Sequence, residues 1–260
     1  WNAIMLKGYV DAYTALGNPH YLATAKKNAQ FIVEKLWSPE GYLYHSYKNK
    51  KSTIEGFLED YAFTIDAFIS LYQATFDEIY LRQAKQLTDY CFDYFYDEKQ
   101  QFFAFNSRNS AQLIAQHYET EDNVIPASNS VMANNLHLLA ILFGNTYYEK
   151  TALQMLHHII PTIDYASAYS NWMNLWMNFS EDNKELAICG ENALLNLQKI
   201  NSNYLPHISV AGTQKSSTLP FLENRFVENN TLFYICQNKS CSIPKNSVEA
   251  ALDNLKIMHR

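Results

Sequence analysis

The chain has 260 residues and a formal net charge of −6, from 20 Lys and Arg against 26 Asp and Glu. With 48% apolar residues it can bury a core without metals or disulfides, and 18% charged residues exclude wholesale disorder. Seven glycines are too few for an all-β sandwich or barrel, no basic stripe points to nucleic acid, and no apolar run is long enough for a bilayer.

Taken in chain order, the pattern is a repeat. An apolar-periodic segment over 2–16 ends at Gly17, and Asn18-Pro19 starts a second helix at Tyr21 and Leu22. The same start recurs at Asp77 with Tyr80 and at Asn145 with Tyr148, about every sixty residues. Apolar segments over 58–75 and 128–143 precede these caps as 2–16 precedes Asn18. The short connections make each pair an antiparallel hairpin. The aromatic stretches Gly41-Tyr42-Leu43-Tyr44 and Phe102-Phe103-Ala104-Phe105 follow two of the hairpins and read as extended turns or short hairpins crossing the end of the layer. A fourth inner helix is predicted over 164–179, around Trp172, Leu175 and Trp176.

Near Asn183 the pattern changes. Strands are predicted over 185–189, 204–210 and 232–236, with helices over 192–200, 219–227 and 247–258. The expected fold is mainly α: a partial (α/α) toroid of helical hairpins over residues 1–182, with a small C-terminal α/β module over 183–260 packed on it. A closed ring of six such hairpins would need roughly 360 residues. The chain also opens without Met, so it reads as a fragment of a longer protein.

In a ring of hairpins the inner helices share one end. Helix starts there offer free N–H groups and a partial positive charge. Superposing the repeats puts Trp1 and Asn2, Asp60 and Tyr61, and Ser128 and Asn129 at these starts. The acid/base candidates are Asp60 and Glu59, adjacent carboxylates that raise each other's pKa while the helix start opposes the rise. The ordinary alternative is helix capping. Glu119, Glu121 and Asp122 are candidates for a second carboxylate by position, and His117 for a further acid/base group; His45 lies in the first crossing loop, and a lone His is more often structural or solvated. Trp1, Asn2, Tyr61, Ser128, Asn129 and His117 form the expected substrate-binding set. The turn at Pro126-Ala127-Ser128-Asn129-Ser130 either binds a polyhydroxyl ligand or caps a helix with Ser128. Trp1, Tyr42, Tyr44, Tyr61, Phe103 and Trp172 either line a cleft or fill the core.

No metal spacing is present: His157 and His158 are adjacent, where one metal wants i and i+4. No phosphate loop or nucleophile elbow is present, and no cofactor is implied. Cys91 and Cys189 read as buried free thiols. Cys236 and Cys241, spaced C-x4-C, are neither a C-x-x-C redox motif nor half of a zinc site, and stand as a weak redox-exchange pair.

The motifs Trp1-Asn2-Ala3, Gly56-Phe57-Leu58-Glu59-Asp60-Tyr61-Ala62, Leu71-Tyr72-Gln73-Ala74-Thr75-Phe76-Asp77, Pro126-Ala127-Ser128-Asn129-Ser130 and Cys236-x4-Cys241-x-x-Pro244 occur in this order. Together they resemble the C-terminal half of the thioredoxin-domain-fused, spermatogenesis-associated protein 20-like family. The resemblance implies a toroid similar to N-acylglucosamine 2-epimerases and six-hairpin glycosidases, and a thioredoxin-like domain elsewhere as fused neighbour or partner. It implies carbohydrate metabolism with a sugar or sugar-derived small molecule as ligand, or a non-catalytic scaffold serving the thioredoxin-like domain. The family usually carries paired aspartates where Glu59-Asp60 stands and Gly where Ser128 stands. A cytoplasmic location is the expectation.

Overall fold

The structure is a computed structural model that describes residues 1–110, 115–179, 183–205 and 208–256. Three helical hairpins open the chain. They are α1 (Asn2–Leu16) with α2 (Pro19–Phe31), α3 (Leu58–Thr75) with α4 (Glu78–Tyr94), and α5 (Ser128–Phe143) with α6 (Thr146–Ile159). Each second helix begins as its residues dictate. Asn18 Oδ1 accepts from His20 N, Asp77 Oδ1 from Ile79 N, and Asn145 Oδ1 from Tyr147 N and Tyr148 N. Each first helix ends on a left-handed residue: Gly17, Phe76 and Gly144. Phe76 carries a Cβ in that conformation, and its ring is buried in return.

The α3 and α5 helices are apolar nearly all round and form the inner wall. Leu58, Ile65, Phe68 and Tyr72 on α3 pack with Met132, Leu136 and Leu139 on α5 in one core. Polar side chains join the inner helices: Asn135 Nδ2 donates to Ala62 O, and Asn134 Nδ2 donates to Asn171 O. The fourth inner helix, α7 (Ser170–Asn178), is shorter than predicted because a 3-10 turn occupies Ala166–Tyr169.

Both aromatic crossing loops are hairpins. The first pairs β1 (Tyr44–Lys48) with β2 (Lys51–Glu55), and the second pairs β3 (Tyr96–Asp97) with β4 (Phe102–Phe103). A turn of π-helix at Ile32–Leu36 leads into the first.

The remaining elements are β5 (Lys184–Gly190), α8 (Ala193–Asn201), β6 (Ile208–Thr213), β7 (Thr231–Gln237), β8 (Ser240–Cys241) and α9 (Val248–Lys256). The sheet order is β6-β5-β7-β8, parallel between β5 and β6 and antiparallel elsewhere. The helix expected over 219–227 is a series of turns, because Asn224 adopts a left-handed φ of 59° that interrupts any helical run. The strand expected from Tyr204 begins at Ile208, and Pro206, His207 and Met258 lie outside the described residues.

The sheet is bonded to the inner wall. Tyr72 Oη donates to Gly212 O and accepts from Gly212 N, and Gln73 Nε2 donates to Val210 O. Among the described residues no helix is long and apolar enough to cross a membrane.

Candidate functional site

The inner helices begin side by side, and acidic side chains hold their first turns. At α3, Asp60 Oδ2 accepts from Phe57 N at 2.9 Å, and the same oxygen pairs with His45 Nδ1 at 2.9 Å. At α5, Glu119 Oε2 accepts from Ser128 N at 3.0 Å. Asp122 serves two helices: Oδ1 accepts from Ala127 N and Ser130 Oγ, and Oδ2 accepts from Asn171 N at the start of α7. Each bond from a backbone N–H satisfies a donor that the helix itself leaves open.

Glu59 is different. It is half-buried at the start of α3, and no hydrogen bond from a described residue reaches its carboxyl. Burial, first, and then the charges of Asp60 and Glu119 push its pKa above the ordinary carboxylate value. His45 pulls the other way, which places it within electrostatic reach. So α3, the β1–β2 hairpin and the loop before α5 converge on this carboxyl.

Aromatic rings border it. Phe57 and Phe105 stack with centroids 5.1 Å apart, His45 stands edge-on to Phe57, and His117 edge-on to Phe105. The hairpin of β1 and β2 brings His45 to Asp60, a pairing that chain separation hides. Chain separation likewise hides the stack of Phe57 on Phe105, although each ring belongs to a motif visible in the sequence.

The expected binding set divides. Trp1 is 86% exposed, and Asn2 and His117 are exposed as well. Tyr61, Ser128 and Asn129 are buried, at 1% exposure or less. Tyr61 Oη accepts from Leu43 N at 2.9 Å, and Asn129 bonds the backbone of Phe103. These three stand behind the surface and support it. Ser128 does not cap α5 with its hydroxyl; Ala127 holds the cap position, and Ser128 Oγ is buried without a partner among the described residues. Phe103 and Trp172 are core, while Tyr42 and Tyr44 are half-buried and bonded through their hydroxyls.

Cys91 and Cys189 are buried free thiols, and Cys236 and Cys241 form a disulfide. Among the described residues no cluster of His, Cys, Asp or Glu has the makings of a metal site.

No family model matches the chain. Human spermatogenesis-associated protein 20 is 26% identical over 94% of this chain and 34% of its own length. The chain is a homologue of spermatogenesis-associated protein 20. The mouse protein is 27% identical over the same shares, and an uncharacterized Caenorhabditis elegans protein is 30% identical over 58% of the chain. The chain therefore spans about a third of the length of the curated mammalian relatives it matches.

Solved structures share the architecture. A GH76 α-mannanase from Bacteroides thetaiotaomicron has a TM-score of 0.56 at 16% identity, over 84% of this chain and 63% of that one. Cellobiose 2-epimerase from Bacillus thermoamylovorans has a TM-score of 0.51 at 17% identity, over 60% and 42%. A sugar epimerase from a ruminal bacterium scores 0.50 at 19% identity. At such identities the likeness establishes the fold: the helical hairpins are part of an α/α toroid.

Proposed function

We propose that the end of the ring where the inner helices begin binds and processes a sugar or sugar-derived small molecule, with Glu59 as the proton-transfer group. The observation that carries this reading is the Glu59 carboxyl itself. It is half-buried, has no hydrogen-bond partner among the described residues, and holds its proton to higher pH than an ordinary glutamate. A carboxyl in that state donates a proton to a glycosidic or carbonyl oxygen and takes one back in the reverse step. Beside it lies the hydrogen-bonded Asp60–His45 pair, whose geometry the α3 cap holds. The Phe57–Phe105 stack offers an apolar face for a sugar ring. On this reading residues 1–182 supply the ring wall and 183–260 an α/β module that braces it, and exposed Trp1, Asn2 and His117 make the outer contacts.

The test is a panel of mono- and disaccharides, screened by thermal shift and then by NMR for isomerised or hydrolysed product. Glu59→Gln is expected to abolish turnover while leaving the thermal shift in place. Unchanged turnover in that variant would remove Glu59 from the reaction.

A second reading is a non-catalytic platform for a thioredoxin-like domain. It is favoured by the number of polar groups at this end already engaged in the fold: Asp60, Glu119, Asp122 and Asn129 all hold backbone groups. A panel in which no sugar shifts the melting temperature, with a thioredoxin-like domain co-purifying, would favour it.

A further inference from the structure

A cavity of about 540 Å³ lies at the opposite end of α5, between the ends of α5 and α7, the start of α6 and the sheet. That volume suits a small organic ligand. Two of its walls carry buried polar atoms with no partner among the described residues: His137 Nε2 and Asn183 Oδ1, on residues only 6% exposed. Buried polar atoms are nearly always paired, so both are vacant bonding positions for a ligand.

The sheet contributes a row of side chains to the same cavity. Glu185 on β5 is opposite Cys236 on β7, and Cys236 is opposite Cys241 on β8. Directly opposite residues project to one face, and all three line the cavity. Arg225 spans the row. Its Nη1 donates to Cys236 Sγ and its Nη2 to Cys241 Sγ, both at 3.3 Å, while its guanidinium lies over Phe221 and Tyr234. The two cysteines differ in access: Cys241 is exposed and Cys236 is buried.

We propose that this cavity is a thiol–disulfide exchange site in which Cys236–Cys241 reacts with a small peptide-like thiol. The polar groups fit such a ligand, because Asn183 Oδ1 accepts an amide or ammonium N–H and His137 Nε2 is free for a second polar contact. The incoming thiolate attacks exposed Cys241 Sγ. A new S–S bond forms to Cys241 as the Cys236–Cys241 bond breaks, and the electron pair leaves on Cys236 Sγ. Arg225 stabilises that thiolate, as a neighbouring cation does. Glu185, its cross-strand neighbour, protonates it. A second thiol then attacks the ligand sulfur of the mixed disulfide, releasing the Cys241 thiol and an oxidised ligand dimer. Two thiols are oxidised to one disulfide, and the protein disulfide is reduced to two thiols.

The Glu185 proton is available near neutral pH, since burial pushes its pKa up to about 7 against the opposing pull of Arg225. The other charged or titratable groups around the cavity are His137 on α5, Glu149 on α6 and Lys239 in the β7–β8 turn. Lys239 Nζ is paired with Glu149 Oε2 at 2.7 Å. Cys189 and Tyr234 flank Arg225 and hold their protons well above neutrality.

Reduced glutathione is the probe. The oxidised chain is mixed with it, quenched by alkylation, and scored for free Cys236 and Cys241 by mass spectrometry, with rates expressed per unit of glutathione thiolate. The folded chain is expected to react at least about ten times faster than the same chain unfolded in urea. Its rate should fall as pH rises through about 7, the value burial gives Glu185. Glu185→Gln should remove that fall. Arg225→Gln should slow exchange about tenfold, with Arg225→Lys intermediate. A folded chain no faster than the unfolded one, a rate that shows no fall near neutrality, or reduction by a dithiol protein but not by glutathione would each overturn the proposal. The wild-type comparisons need no variant, so a variant that fails to fold does not rescue it.

Discussion

The side chain of Asn129 pairs with the backbone of Phe103 as a neighbouring strand would. Oδ1 accepts from Phe103 N at 2.8 Å, and Nδ2 donates to Phe103 O at 2.9 Å and to Glu119 O at 3.0 Å. A buried backbone group left without its partner costs about 1–3 kcal/mol. Asn129→Ala is therefore expected to destabilise the fold by about 2–5 kcal/mol in urea unfolding. Asn129→Asp should do worse, because a carboxylate oxygen would then face two carbonyl oxygens. An Asp variant as stable as the Ala variant would contradict this account of the contact.

Asp122 ties together the starts of α5 and α7, with one oxygen on Ala127 N and Ser130 Oγ and the other on Asn171 N. Asparagine keeps only one acceptor oxygen and turns an amide toward one of the two helix starts. Asp122→Asn should cost about 1–3 kcal/mol, and Asp122→Ala more. Hydrogen exchange gives the local readout: the Asn171 amide should exchange faster in the Ala variant, while the amides of α2, remote from this clamp, stay unchanged.

What the sequence discloses here depends on range along the chain. Asn18, Asp77 and Asn145 bond amides two or three residues ahead, so their roles follow from local pattern alone. The Glu59-Asp60 pair was visible for the same reason. Asp60's bond to His45 was not, because it depends on where the β1–β2 hairpin folds back. One of the two readings of Ser128 makes it the cap of α5, but Ala127 holds that position and a carboxylate from Glu119, nine residues before Ser128, takes the Ser128 amide. In the sheet, Glu185 is a lone acid opening the apolar run Leu186-Ala187-Ile188-Cys189. That signal was present, yet only the strand register places it beside Cys236.

His137 gives a pH signature. It is buried, and burial lowers its pKa from 6.5 to about 4. Between those values the unfolded chain binds a proton that the folded chain refuses, so stability falls as pH falls through the window. The full effect is at most about 3 kcal/mol. Glu185 has the opposite sign: its raised pKa stabilises the fold below pH 4.5, and that contribution is lost as pH rises toward 7. The comparison must therefore be variant against wild type. His137→Gln should flatten the loss between pH 6.5 and 4, and Glu185→Gln the loss between 4.5 and 7, in urea unfolding followed across pH. A pH profile unchanged by His137→Gln would mean that the folded chain binds this proton as readily as the unfolded one.

Gly212 marks the closest approach between the sheet and the inner wall. A Cβ there would lie 2.4 Å from Phe76 Cε2 and 2.6 Å from Ile188 O. The first contact is with a ring at the end of α3 that is held by its own left-handed backbone. The second is with the backbone of the paired strand β5 and cannot give without moving the ladder. The carbonyl and amide of Gly212 are also bonded to Tyr72 Oη, so the strand is not free to shift away from α3. Gly212→Ala is expected to cost about 3 kcal/mol or more, at the upper end of overpacking effects. Phe76→Ala alone should also destabilise, through lost burial. In the double variant the ring clash is gone while the Ile188 contact remains, so the combined loss should be smaller than the sum by about 0.5–2 kcal/mol. Strictly additive losses would show that the ring of Phe76 and the backbone of Gly212 do not meet.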